Sequence, residues 1–173
     1  MLANPLRRLL YTAKSILGPY VSEGMTILEP GPGMGFFTLD AARLVGPHGR
    51  VIVVDIQAKM LDVLRRRAHR ADLLDRIDSR LVTATDMGIK DLKGKVDFVL
   101  AFAMVHELPD PRTFFSEVSA ALKRGGRMLF AEPSGHVGED DFLRSLGLAQ
   151  EAGLRVESRL FIWRSRSALL AKP

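Results

Sequence analysis

The segment Ile27-Leu28-Glu29-Pro30-Gly31-Pro32-Gly33-Met34-Gly35-Phe36-Phe37 constrains this chain more than any other. Three glycines at alternate positions close a short β-branched run and open an apolar stretch with helical spacing. Glycine adopts left-handed backbone at no steric cost and lets a ligand approach the main chain where any Cβ would push it away. A strand–glycine loop–helix unit of this kind belongs to an open α/β sheet. In such sheets ligands bind at the carboxyl ends of the strands, at the topological switch point.

The rest of the chain repeats the alternation. Runs at Thr26–Glu29, Arg50–Asp55, Arg80–Ala84, Val96–Ala101 and Arg127–Glu132 read as strands. Between them, Met60, Leu61, Leu64 and Ala68 recur at helical spacing, as do Phe114, Phe115, Val118, Ala121 and Leu122. Asp110 suits the cap of the latter helix, Pro111 its first turn, and Gly125-Gly126 its stop. A helix is expected from about Gly35 to Val45, and Leu2–Tyr20 reads as an amphipathic helix ended by Gly18-Pro19. The tail, Leu154–Ala171, reads as two strands with a turn near Arg164-Ser165. The expectation is an α/β fold: a doubly wound, mostly parallel seven-stranded sheet with a C-terminal antiparallel hairpin and helices on both faces. With 173 residues, a single domain is expected, residues 1–24 forming a covering helix and residues 25–173 the core.

Composition removes several chemistries. There is no cysteine, which excludes disulfides, zinc–thiolate sites and thiol nucleophiles, and no metal site is expected. No apolar run reaches the roughly 18 residues of a membrane span. Arg7, Arg8 and Lys14 interrupt the apolar residues of the N-terminus, which does not read as a signal peptide, so a cytoplasmic protein is expected. Twenty-five Lys and Arg against 20 Asp and Glu leave a net charge of +5. Arg65, Arg66, Arg67 and Arg70 concentrate that excess but are interleaved with Asp62, Asp72, Asp75 and Asp78. A solvated helix face is the favoured reading over a nucleic-acid patch.

The ligand of the glycine loop can be narrowed by what is missing. A dinucleotide fingerprint needs a third glycine at position 36, which is Phe, and a phosphate cradle needs Gly-Lys-Ser/Thr, which is absent. Glu29 repels a pyrophosphate and suits a cation such as an α-amino group or a sulfonium. Asp55 ends the next strand about 20 residues after the loop, where a carboxylate can accept from ribose hydroxyls. Asp86 follows a third strand. Each alone reads as a turn or cap carboxylate. Together they point to a cationic nucleoside without phosphate.

At these residues the chain resembles the Rossmann-like S-adenosylmethionine-dependent methyltransferases, from about Met25 to Pro173. Glu29, Gly31, Pro32, Gly33 and Gly35 match that family's glycine motif, Asp55 its ribose-binding acid, and Asp86-Met87 its adenine-edge pair. Ile56 is then placed against adenine, and Ala101 and Phe102 beside the cofactor. The strand Val96–Ala101 and the stretch Leu122–Phe130 resemble later motifs. The resemblance implies S-adenosylmethionine as cofactor, S-adenosylhomocysteine as product, and in-line methyl transfer.

The loop after the fourth strand faces the ligand. There His106 is a candidate general base or a residue that caps or packs under the loop, and Glu107 a group that orients it or binds a cationic substrate. Glu132, Tyr11, Phe36 and Met104 are weaker candidates for lining the acceptor side. Ala101-Phe102-Ala103-Met104-Val105-His106 stands where base-modifying enzymes carry an Asn/Asp-Pro-Pro-Tyr motif, which disfavours nucleic acid. Lack of cysteine disfavours thiol-based arsenic methylation. A small-molecule acceptor is favoured. The alternatives are a cofactor-binding module without catalysis, a methyltransferase acting on RNA or protein, and an NAD(P) oxidoreductase.

Overall fold

The computed structural model describes residues 12–173, so most of the expected Leu2–Tyr20 helix, and Tyr11 with it, lies outside the described residues. Helix α1 (Ala13–Leu17) is capped by Thr12, whose side chain accepts from Ser15 N. There follow β1 (Thr26–Pro30), α2 (Phe36–Val45), β2 (Arg50–Asp55), α3 (Ala58–Arg70), β3 (Ile77–Leu81) and β4 (Val96–Phe102). Helix α4 (Pro111–Ala121), β5 (Leu122–Pro133), α5 (Glu139–Glu151), β6 (Arg155–Ile162) and β7 (Ser165–Ala171) complete the chain.

The strands form a seven-stranded sheet in the order β3-β2-β1-β4-β5-β7-β6. The first five in that order pair in parallel, and β7 runs antiparallel to both β5 and β6. Only Trp163 and Arg164 separate β6 from β7, a link far too short for a parallel crossover, and Arg164 takes φ 58° to close it. Order reverses between β1 and β4, and the crevice between their carboxyl ends is the switch point.

Period-two alternation along the strands divides the core in two. Ile27, Val51, Val53, Phe98 and Leu100 face one layer with α1, α2 and α3. Leu28, Ile52, Val54, Val99 and Ala101 face the other with α4 and α5, where Phe130 stacks on Phe142 at 5.0 Å. Strand β2 is buried from Val51 to Asp55, as a strand covered on both faces must be.

Three details depart from the sequence reading. The third strand is Ile77–Leu81 and not Arg80–Ala84. As the sheet edge it pairs with β2 alone, and no residue of it is fully buried, so it carries no apolar run. The apolar Leu81–Ala84 run mostly belongs to the following loop, where Val82 N donates to Asp55 O at 3.0 Å. Second, Gly125-Gly126 do not stop α4. Leu122 is already extended and pairs with Val96, and the register then jumps to Phe98 opposite Arg127. The glycines sit in the resulting bulge, fastened by Gly125 N to Lys172 O at 2.7 Å and Lys172 N to Gly126 O at 2.9 Å. Third, α5 has no counterpart in the reading, although Glu139, Asp140 and Asp141 give it an acidic first turn and Phe142, Leu146 and Ala149 a buried stripe.

Candidate functional site

The three glycines of the β1–α2 loop do different work. All have positive φ: 66° at Gly31, 55° at Gly33 and 84° at Gly35. A Cβ on Gly31 would lie 3.2 Å from Met104 Cβ, so this glycine lets the loops after β1 and β4 meet. A Cβ on Gly35 would lie 3.1 Å from Leu64 Cγ, so that glycine lets α2 seat on α3. A Cβ on Gly33 would meet nothing within 4 Å: this glycine faces open space. The Arg67 guanidinium on α3 donates to the Met34 carbonyl and holds the loop from outside.

That open space is a cleft with two lobes sharing Pro30, Gly31 and Gly33. One lobe, of about 310 Å³, is lined by Asp55, Ile56, Met87, Met104 and Glu107 among others. Asp55 is 9% exposed and its Oδ1 accepts from Gln57 N at 2.8 Å, which aligns the carboxylate at the strand end. Ile56 is 58% exposed, an apolar plate beside it. Asp86 stands apart from this lobe. Its Oδ1 accepts from Gly88 N at 2.8 Å, and it lines a neighbouring groove on the far side of Met87. Ala101 is fully buried in the core and lines neither lobe.

The second lobe, of about 350 Å³, is walled by Glu29, Pro32, Phe36, Phe37, Arg67 and Phe102. Phe37 sits 4.7 Å from Phe102 and 5.0 Å from Phe36, centroid to centroid. Glu29 is 4% exposed, and Thr38 Oγ1 donates to its Oε2 at 2.6 Å. Desolvation pushes the Glu29 pKa up to about 8, against the hydroxyl's opposing pull.

The loop after β4 begins with Ala103 in the left-handed region, φ 56°, its N–H donating to Ala131 O at 2.7 Å. This turn carries Met104 to the glycine loop and brings His106 back over the end of β5. There His106 Nδ1 donates to Glu132 Oε2, while the same carboxylate accepts from Val105 N at 2.9 Å and His106 N at 3.3 Å. Glu132 is 2% exposed. Glu107, which the sequence offers either to orient His106 or to bind a cationic substrate, is an exposed cavity-lining residue, with Oε1 3.9 Å from His106 Nε2. The sequence signal for Glu132 lies in the parallel register: once Phe102 pairs with Ala131, the end of β5 must lie beside the residues following β4.

An open sheet of this order, with a glycine loop after β1 and a carboxylate ending β2, is the Rossmann-like architecture of class I S-adenosylmethionine-dependent methyltransferases. A methyltransferase from Aquifex aeolicus, described as S-adenosylmethionine-dependent, superposes with a TM-score of 0.82 at 22% identity, over 97% of this chain and 93% of that one. A geranyl diphosphate C-methyltransferase from Streptomyces coelicolor superposes with a TM-score of 0.74 at 19% identity, over 97% and 81%. Residues 28–130, more than half of the sequence, match the methyltransferase domain family, and the chain belongs to that family. Among curated proteins it is 39% identical over 112 residues to a demethylmenaquinone methyltransferase of Symbiobacterium thermophilum, across 64% of this chain and 43% of the relative. It is 29% identical over 112 residues to an arsenite methyltransferase of Halobacterium salinarum, across 65% and 28%. The chain thus spans less than half the length of these relatives. No helix among the described residues is long and apolar enough to cross a membrane.

Proposed function

We propose that this chain transfers a methyl group from S-adenosylmethionine to a small-molecule acceptor in the cleft over the glycine loop. The observation that carries the reading is the cleft itself, with Gly33 facing open space at φ 55° between a strand-end carboxylate, Asp55, and a buried one, Glu29. A side chain on Gly33 would occupy the volume a ligand needs. Bound there, S-adenosylmethionine supplies an electrophilic methyl on a sulfonium, a leaving group that needs no help.

The chain's own residues supply the rest. Asp55, aligned by Gln57 N, accepts from ribose hydroxyls, and exposed Ile56 offers its face to adenine. Glu29 accepts a cationic group once it gives up its proton. Asp86 and Met87 close the adenine end, with Met87 in the lobe and Asp86 acting by fixing the loop through Gly88. Positioning and exclusion of water by Phe36, Phe37, Phe102 and Met104 raise the rate, because a held, in-line pair reacts far faster than two molecules meeting in solution. Glu107 lines the cleft where an acceptor would enter, with His106 beside it. Residues 25–173 form the catalytic unit.

Calorimetric titration with S-adenosylmethionine, S-adenosylhomocysteine and NADH tests the reading, followed by transfer of labelled methyl to small-molecule pools. Binding of both sulfur nucleosides but not of NADH, with label in the small-molecule fraction, is the expected result. Binding with no transfer would make the chain a cofactor-binding module, and tight NADH binding would make it an oxidoreductase. Label in RNA or protein would move the acceptor to a macromolecule.

A further inference from the structure

A buried carboxyl facing one edge of an imidazole is a recognisable arrangement, whatever the reaction around it. It fixes which ring nitrogen carries the proton. In His106 that nitrogen is Nδ1, because its partner is the Glu132 carboxylate. Nε2 is left as the acceptor. The nearest charged group to Nε2 is the Glu107 carboxylate at 3.9 Å, beyond hydrogen-bond reach, and Glu107 lines the cleft. His136, after β5, is a further titratable neighbour, with its ring centroid 6.1 Å away. The lone pair of Nε2 is therefore left on the Glu107 side of the ring, next to a residue that lines the cleft. Glu132 cannot turn away, because its second oxygen is held by Val105 N at 2.9 Å.

We propose that Glu132 is the positioning residue of a His106–Glu132 pair, and that this pair takes the proton of a phenolic acceptor. The proposal rests on the methyl-transfer reading of the cleft. A base has a purpose only when the nucleophile must lose a proton, which sets aside tertiary amines and thioethers. A hydroxyl as acidic as that of tyrosine, about 10, gives up its proton to a neighbouring base far more readily than an aliphatic alcohol does. The walls agree: Phe36, Phe37, Phe102 and Met104 offer flat and apolar surface to a ring. In the step, the acceptor O–H bond breaks and its proton passes to Nε2. The freed electron pair on oxygen forms the new bond to the methyl carbon. The carbon–sulfur pair returns to sulfur. The imidazolium, braced by Glu132, then yields its proton to water.

Two measurements test this. In protein labelled with ¹⁵N-histidine, long-range ¹H–¹⁵N spectra report the tautomer of His106, assigned by its loss in His106→Asn. The Nδ1–H form is expected in the parent, and its loss in Glu132→Ala, which removes the acceptor of that proton. An Nε2–H ring in the parent would overturn the pair. Single-turnover methyl transfer is then followed from pH 6 to 9, with phenols of graded acidity as acceptors. Glu132→Gln is expected to slow transfer roughly 10²-fold or more, with S-adenosylmethionine affinity within about twofold of the parent, which also verifies folding. The penalty of His106→Ala is expected to shrink as the phenols become more acidic. An equal penalty across the series, or no phenol methylated by protein that binds S-adenosylmethionine, would overturn the proposal. Failure of the parent to bind S-adenosylmethionine would remove the methyl-transfer reading and the acid–base role with it, leaving the tautomer result intact.

Discussion

Glu29 and Glu132 end two strands of the same sheet, and both are nearly buried, at 4% and 2% exposure. They differ in their donors. Glu29 accepts from the Thr38 hydroxyl, whereas Glu132 accepts from two backbone N–H groups and an imidazole N–H. A carboxyl desolvated beside one weak donor holds its proton, and the Glu29 pKa is pushed up to about 8. A carboxyl gripped by three N–H groups becomes a mechanical fixture that sets the course of a loop and the tautomer of a ring. Burial alone does not decide what an acidic residue does; the inventory of donors around it does.

The contrast gives opposite signs on substitution. In Glu29 the folded pKa of about 8 lies above the ordinary value of 4.5, so the folded state binds the proton more tightly. Stability is therefore greatest below 4.5 and falls as pH rises toward 8. The loss between pH 5 and pH 8 is expected to be roughly 3–4 kcal/mol, each tenfold difference in proton affinity being worth about 1.4 kcal/mol. Glu29→Gln keeps an acceptor for Thr38 and should flatten this dependence, leaving the variant more stable than the parent at pH 8; urea midpoints at both pH values measure it. A parental slope in the variant would assign the dependence to another group.

Glu132→Ala should do the reverse. It strands the N–H groups of Val105 and His106, and a loss of about 3 kcal/mol is expected from the same denaturation series at pH 8. A loss below about 1 kcal/mol would show that water replaces the carboxylate.

Ligand binding extends the contrast. A cationic group seated at Glu29 must displace its proton, so S-adenosylmethionine affinity should rise with pH up to about 8. Calorimetry in buffers of different ionisation enthalpy should register proton release, absent in Glu29→Gln. Asp55→Ala should cost about 2 kcal/mol of affinity, roughly thirtyfold, through lost ribose hydrogen bonds, with no proton release of its own. Affinity unchanged from the parent would remove Asp55 from the site.

Smallest in stability is Gly33→Ala. With nothing within 4 Å of the new methyl, only the positive φ is penalised, by about 1 kcal/mol. Cofactor binding should nevertheless suffer more than stability, because the methyl enters the cleft. Gly35→Ala, pressed against Leu64, should show the opposite ratio.

The legibility of this molecule follows the range of the interactions. Strand β2 is readable because Val51 to Val54 are apolar on both faces, and α4 because Asp110 caps it, accepting from Thr113 N at 3.2 Å. Strand β3 escapes a local reading because an edge strand needs no apolar run, while the run that follows serves a loop. The Gly125-Gly126 pair belongs to a bulge fixed by Lys172, 47 residues away by chain number, and no local pattern announces that.

Residue order and local pattern are enough to specify the alternation of strands and helices, the glycine loop after β1 and the carboxylate that ends β2. These depend on backbone freedom, hydrophobic period and chain order, all local properties. It takes the folded molecule to make Gly33 face a ligand while Gly35 seats a helix, to turn Asp86 to its own loop, and to give His106 to Glu132 rather than Glu107. Those outcomes depend on which groups are desolvated and which donors reach them, and burial and hydrogen-bond partners are set by residues distant in sequence.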